Sequence, residues 1–282
     1  MVRPRQRIAF LLQSSPADGS LRPSPSAVTT EIVARLRDTY GASVDLLTPD
    51  AQPLQLEHFR PEHDAYVLKA KTPITLAVAG AVAALGATVI NSIEASTLTR
   101  DKLATTAVLA ASGVPLPRSW ATGRPDLLRD LIDGGPLWLK PQRGSQGKGV
   151  HRLASAVEME AADCSARDAY GLPLPLFAQR DVPSGGRDLK VYVVGERMWA
   201  ITRPFPARTL EDKLGAPCRV PPVIREAAVT CGRALGLELY GVDFLVAGDQ
   251  FFAVDVNALP GYKGVPEAPA AIADYLFERA SR

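Results

Sequence analysis

The sequence predicts an α/β fold in which a small parallel sheet precedes a larger mixed region. Three observations carry this. Over roughly the first 95 residues, short apolar strands alternate with helical periods, the pattern of a parallel sheet covered on both faces. Further along, strands return on themselves around Gly144–Gly149, Gly195–Glu196 and Ala247–Gln250, as hairpins do. The chain has 282 residues, 46% of them hydrophobic and 22% charged, which is enough for one large or several small cores and unlike a disordered chain.

The elements follow in order. Ile8–Leu12 is a compact apolar strand, and a Ser/Pro-rich loop runs from Ser14 to Ser26. Val28, Ile32, Val33 and Leu36 recur at helical spacing until Gly41 stops the helix. Val44–Leu47 and Ala65–Leu68 are the next strands. Thr72 caps and Pro73 opens a helix. The apolar run Leu76–Ile90 is shorter than the roughly 20 residues that span a bilayer, so it reads as a buried helix entering a strand at Val89–Ile90. Asp101–Ser112 is a helix ended by Gly113 and Pro115. Leu137–Lys140 and Val150–Leu153 flank the glycine loop, and Leu176–Gln179 is a further strand. Asp188–Val194 pairs with Arg197–Thr202. Pro204–Pro222 is expected to be irregular, a mobile loop over a site. Val223–Leu235 is a helix, Tyr240–Val246 and Phe251–Val256 a second hairpin, Asn257–Pro266 a turn-rich loop, and Glu267–Arg279 the closing helix. The expected units are residues 1–95, 96–180 and 181–282.

Composition removes several function classes. A net charge of +2 offers no polybasic field for nucleic acid or an anionic membrane. Cys164, Cys218 and Cys231 lack metal or disulfide spacing, which predicts inert thiols in a reducing cytoplasm. His58, His63 and His151 are scattered and read as structural or surface residues. The basic start is followed by an apolar stretch too short for a signal-peptide core. Apolar faces are explained by the core, so no sequence signal marks a homo-oligomer. Lysine is scarce, eight residues against twenty-four arginines. Six of the eight, Lys102, Lys140, Lys148, Lys190, Lys213 and Lys263, lie in or beside segments that carry chemistry.

The strongest segment runs from Leu139 to Val150: Lys140, then Gly144-Ser145-Gln146-Gly147-Lys148-Gly149. Glycines at this density let backbone N–H groups close on a phosphate, with lysines to neutralise it. Lys148 is followed by Gly149 rather than a hydroxyl residue, so this is no P-loop, and a Rossmann fingerprint is absent. A plain flexible hairpin is the other reading of the same glycines. The second constellation is Asp243 on one strand with Asp255 and Asn257 on its hairpin partner. Strand alternation points Asp255 and Asn257 the same way. Two carboxylates and an amide oxygen make a hard site suited to Mg²⁺, unless they are only the wet face of an edge hairpin. Third, Asp188 and Lys190 share one strand face with Arg203 opposite, which is either a functional cluster or a surface ion-pair ladder.

Taken in order, helix lysine Lys102, strand lysine Lys140, glycine hairpin, Asp188-x-Lys190, Asp243, Asp255-x-Asn257 and a Pro-Gly turn, the motifs resemble the ATP-grasp superfamily over about residues 96–282. The resemblance implies that residues 1–95 form the pre-ATP-grasp domain and that ATP is sandwiched between the following subdomains. By position, Lys102 and Lys140 match the lysines that hold ATP phosphates, and Gly144, Ser145, Gln146, Gly147, Lys148 and Gly149 match the loop that closes on them. Gln179, Arg180 and Val182 match the linker whose backbone reads adenine. Asp188 and Lys190 match a nucleotide-side polar pair, and Lys213 is a further nucleotide-side cation. Arg203, Lys190 and Asn257 fall at catalytic positions, and Asp243, Asp255 and Asn257 match the metal ligands. Asp255 stands where many relatives have Glu.

Two branches of the superfamily compete. The glycine hairpin resembles the ribosomal-protein glutamate ligase and other carboxylate–amine ligases, which form an acyl phosphate and then an amide. The strand from Asp188 to Gly195 and the segment from Asp255 to Gly264 look like inositol trisphosphate kinase, with Lys69 as a loose match to a lysine of that kinase. A polyphosphorylated inositol needs a dense cationic pocket. Arg143, Lys148, Lys190, Arg203, Lys213 and Lys263 are the cations near the expected site, and ATP claims part of that set. The ligase is therefore the favoured reading. The expected cofactors are ATP and Mg²⁺, one ion or two, with Mn²⁺ able to substitute, and the expected partners are small-molecule or peptide carboxylates and amines. A non-catalytic nucleotide-binding module is the third reading.

Overall fold

The structure is a computed structural model, and it describes residues 5–14, 22–144, 149–162 and 175–281. The chain begins with β1 (Arg7–Leu11), α1 (Ala27–Asp38), β2 (Ser43–Leu47), β3 (Ala65–Leu68), α2 (Pro73–Ala84), β4 (Thr88–Ile90), α3 (Ile93–Leu98) and α4 (Lys102–Ala111). The middle holds β5 (Ser119–Thr122), a 3₁₀ helix (Pro125–Gly134), β6 (Leu137–Pro141), β7 (His151–Leu153), α5 (Ala156–Ala161) and β8 (Leu176–Arg180). The last part comprises β9 (Arg187–Val194), β10 (Arg197–Pro204), α6 (Leu210–Leu214), β11 (Ala216–Cys218), α7 (Pro222–Leu235), β12 (Leu239–Ala247), β13 (Gln250–Ala258) and α8 (Ala268–Arg279).

Three sheets organise these elements. The first is parallel, in the order β2-β1-β3-β4. Thr72 caps α2 by accepting from the Thr75 backbone N–H, and Pro73 opens the helix, as the sequence predicts. The second sheet, β5-β8-β6-β7, is antiparallel and carries the glycine hairpin between β6 and β7. The third, β11-β10-β9-β12-β13, is antiparallel and is the largest. One core cluster joins the first and third sheets: Phe10, Ile32 and Val67 pack in the same buried group as Tyr192, Tyr262 and Ile272. The ends of β3 and β13 are thereby held close together. Among the described residues, no helix is long and apolar enough to cross a membrane.

The structure differs from the expected elements in two ways. The segment Pro204–Pro222 is not irregular. Thr209 and Asp212 form a reciprocal capping box that starts α6, and β11 then pairs with β10. The positions α3, β5, the 3₁₀ helix and α5 are additional elements. Short length explains most of them, since four to six residues show too few periods to separate strand from helix.

Candidate active site

The first part of the site is built by α4, β6 and β8. Asp101 caps α4 through the backbone N–H groups of Leu103 and Ala104 and also accepts from the Gln142 amide. Gln142 O in turn accepts from the Lys102 backbone N–H. These bonds clamp the helix start to the entrance of the glycine hairpin, and Lys102 Nζ donates to Gly144 O at 3.2 Å. Lys140, on β6, donates to Gln179 Oε1 at 2.9 Å, and the buried Gln179 amide donates on to Ser119 Oγ at 3.3 Å. Burial pushes the Lys140 ammonium below the ordinary lysine range and Lys102 adds to that, while Asp255 and Asp243 pull it back. Two carboxylates of the third sheet are thus electrostatically coupled to a lysine of the second. A solvent-open cleft is lined by Lys102, Phe177, Gln179 and Asp255. Ser145, Gln146, Gly147 and Lys148 lie outside the described residues.

The second part is a row of charged side chains across the third sheet. The register sets Lys190 beside Asp243 and Asp243 beside Asp255, with Asp188 opposite Arg203. The ladder is buried, not superficial: side-chain exposure is 2% for Asp188, 8% for Lys190 and 14% for both Arg203 and Asp243. Arg203 grips Asp188 with two nitrogens, Nε at 2.7 and 3.0 Å and Nη2 at 2.8 Å. Its Nη2 also lies 3.3 Å from Asp243 Oδ2, while Lys190 Nζ donates to Asp243 Oδ1. Burial pushes the Asp188 carboxyl above the usual carboxylate range, against the pull of the Arg203 fork. Burial works against the Arg203 charge, but the hydrogen bonds to Asp188 and the charge of Asp243 outweigh it, so its hold on the proton strengthens.

Asp243 and Asp255 face one another, and the register slips between Asp243 and Phe244. Like charges directly opposite repel unless a cation lies between them, and bulges often re-aim side chains at sites. Asn257 Nδ2 donates to Asp255 Oδ2 at 2.9 Å, which leaves the amide oxygen to serve as a ligand. Two facing carboxylates plus an amide oxygen fit a hard divalent cation. Among the described residues, no group of three or more His, Cys, Asp or Glu side chains is placed to hold a metal.

Other expected residues are placed differently. The Arg180 side chain donates to Leu131 O in the 3₁₀ helix and to Gly135 O just after it. Val182 is buried. Asp181 accepts from Trp138 Nε1 at 2.7 Å and from Arg152, which ties the linker to β6 and β7. Lys213 lies half-buried on α6, and Gly149 takes φ +68°, a glycine conformation, at the return into β7. Burial pushes the Cys231 thiol up to about 12, in keeping with an inert residue. His63 has a structural partner, Asp45, at 2.8 Å.

Sequence reasoning under-weighted Lys69 and Lys71. Lys69 Nζ donates to Leu259 O at 3.0 Å and Pro260 O at 3.1 Å, and Lys71 Nζ donates to Ala258 O at 3.0 Å. Burial, helped by Lys71, lowers the Lys69 ammonium to about 8. Burial, with Arg100 opposed by Asp255, lowers Lys71 to about 8 as well. Their position directly after an apolar strand, in a lysine-poor chain, is the signal that could have found them.

Residues 99–276 match the family described as RimK-like ATP-grasp domain. A probable alpha-L-glutamate ligase of Shewanella loihica is 27% identical over 255 residues, spanning 86% of this chain and 84% of that protein. Among solved structures, the D-cycloserine synthetase DcsG superposes with TM-score 0.74 at 19% identity, covering 97% of this chain and 99% of the other. The ATP-grasp ligase PsnB, complexed with a minimal precursor, Mg and ADP, gives TM-score 0.69 at 19% identity over 98% of both chains.

Proposed function

Because the chain belongs to the RimK-like ATP-grasp family, a family of ATP-dependent ligases, we propose that it joins a carboxylate to an amine through an acyl phosphate. The substrates are an amino acid, a peptide or a related small molecule. The name of the relative makes L-glutamate the first amine to test. One observation supports the assignment to this site: a single cleft is lined by Lys102, by Gln179, which accepts from Lys140, and by Asp255 of the third sheet.

In this reading Lys102 and Lys140 hold the ATP phosphates, and Gly144, Ser145, Gln146, Gly147, Lys148 and Gly149 close over them. The backbone of Gln179, Arg180 and Val182 lies against the base, and Asp188, Lys190 and Lys213 complete the nucleotide side. Asp243, Asp255 and Asn257 would hold Mg²⁺, which supplies charge neutralisation between phosphoryl oxygens. The site would take one ion or two, and Mn²⁺ would substitute for Mg²⁺. Arg203, held by Asp188, presents its charge where the carboxylate oxygen meets the phosphoryl group, a role worth roughly a thousandfold or more when arginine fills it. Lys190 fixes Asp243. The carboxylate oxygen takes the terminal phosphoryl group as its bond to ADP breaks; the amine then loses a proton and forms the C–N bond as the C–O bond to phosphate breaks, and ADP and free phosphate leave. Closure over the site excludes water, which would otherwise hydrolyse the acyl phosphate. Cys218 and Cys231, neither in a disulfide, fit a cytoplasmic setting.

Asp255→Ala and Asn257→Ala test the reading. Each is expected to lower Mg²⁺-dependent ADP formation by about a hundredfold or more, with a melting temperature close to that of the parent. Retention of parental activity by either variant contradicts the metal assignment. Mn²⁺ titration of ADP formation reads the substitution and the number of ions.

A further inference from the structure

Gln179 lines the cleft and is only 4% exposed. On β8 it stands opposite Ser119 of β5 on one side and Trp138 of β6 on the other. Its side chain belongs to a chain of three hydrogen bonds. Lys140 Nζ donates to Gln179 Oε1 at 2.9 Å, Gln179 Nε2 donates to Ser119 Oγ at 3.3 Å, and Ser119 Oγ donates to Pro117 O at 2.8 Å.

The far end of the chain fixes its direction. A backbone carbonyl can only accept, and a hydroxyl has one proton to give. Ser119 gives that proton to Pro117 O, so it can only accept from Gln179. The amide nitrogen therefore faces Ser119, and the amide oxygen faces Lys140. The flipped amide would set N–H groups against an ammonium, donor against donor. The lysine thus meets an acceptor whose orientation the fold dictates. That orientation is also tied to the third sheet. Ala253 N, on the strand that carries Asp255, donates to Pro115 O at 2.9 Å, two residues before Pro117. Arg180 N donates to Arg118 O at 2.8 Å and continues the pairing of β8 with β5.

The acceptor is neutral, and this matters. Lys190 donates to a carboxylate, Asp243, which offsets its charge. Lys140 donates instead to an amide, while Asp255 and Asp243 act on it through space. A carboxylate in place of the amide would hold the ammonium as firmly and cancel its charge. An amide holds it and leaves the charge for an incoming anion. We propose that Gln179 is a positioning residue, whose neutral side chain fixes the Lys140 ammonium beside the cleft and keeps its charge free for a nucleotide phosphate. The proposal rests on the reading of Lys140 as a phosphate lysine and gives the Gln179 side chain a role separate from its backbone.

The test measures calorimetric binding of a non-hydrolysable ATP analogue with Mg²⁺ to the full chain, with melting temperatures alongside. Gln179→Glu keeps the shape and an acceptor for Lys140 but adds the cancelling charge. It should bind the analogue about tenfold more weakly or worse, and melt no earlier than the parent. Gln179→Met removes the acceptor and should lose less, roughly threefold. In a Lys140→Met background, Gln179→Met should cost no more than about twofold, because its effect passes through the lysine. A purely structural glutamine predicts the reverse order, with Glu the milder replacement.

A Gln179→Glu protein within about threefold of the parent would overturn the proposal. So would a Gln179→Met loss that is the same with and without Lys140. Should Gln179→Glu fail to fold, the cycle built on the Met variants decides. A parent that forms an amide, with nucleotide affinity unaltered in the Gln179 variants, rejects the proposal and leaves the ligase reading. The expected losses in a chain that forms no amide uphold the proposal and reject the ligase reading.

Discussion

The charged row on β9, β10 and β12 and the lysine pair after β3 handle buried charge in opposite ways. In the row, two cations and two anions touch, and Arg203 serves Asp188 and Asp243 together. At the end of β3, the two ammonium groups donate, among the described residues, to backbone carbonyls. A cluster whose charges largely offset one another can hold an arginine rigidly beside a reacting group. A pair held by carbonyls keeps its charge against the pull of burial, which lowers both ammonium groups to about 8. The contrast separates charges offset by ion pairs from charges held by backbone carbonyls.

The largest effect should come from breaking the neutral row. Arg203→Met leaves Asp188 buried without its partner, and urea unfolding should show a loss of about 3–5 kcal/mol. Turnover should fall roughly a thousandfold or more. The double variant Asp188→Leu/Arg203→Met should recover most of the stability and none of the turnover, since replacing both members of a buried pair is often neutral. Recovery of activity in the double variant would mean that Arg203 acts only structurally.

A smaller effect, visible only in its sign, should come from the lysine pair. Folding lowers the Lys69 ammonium from the unfolded value of roughly 10.4 to about 8. Between those values the unfolded chain binds more protons than the folded one, so stability must rise with pH across that window and level off above it. Melting temperatures followed from pH 7.5 to 10.5 in the parent and in Lys69→Met should show a shallower rise in the variant. Parallel curves would remove the burial argument for Lys69. The smallest effect is the control. Arg124 and Asp126 pair on the surface with side-chain exposures of 71% and 60%, and Arg124→Ala should leave the melting temperature unchanged.

Much of the site was legible because it lies on regular strands. Alternation alone places Asp188 with Lys190 and Asp255 with Asn257, and hairpin pairing brings Arg203 and Asp243 to them. Lys102 was readable from the cap that Asp101 supplies one residue earlier. The Thr209–Asp212 capping box was also in the sequence, and the prolines around it hid a helix of only five residues. Other features depend on distant contacts. The Arg180 side chain is drawn away by carbonyls of a 3₁₀ helix 45 and 49 residues away in sequence. Lys69 meets its acceptor across 190 residues, and no local pattern encodes a partner at that separation.

The central claim is that the phosphoryl group passes to a carboxylate. It is tested most directly by incubating the chain with γ-labelled ATP, Mg²⁺ and a metabolite extract, with and without hydroxylamine. The account predicts label released as free phosphate only when extract is present, together with a hydroxamate trapped from the acyl phosphate. Label retained on an acid-stable organic product, with no hydroxamate, would contradict it and identify a kinase.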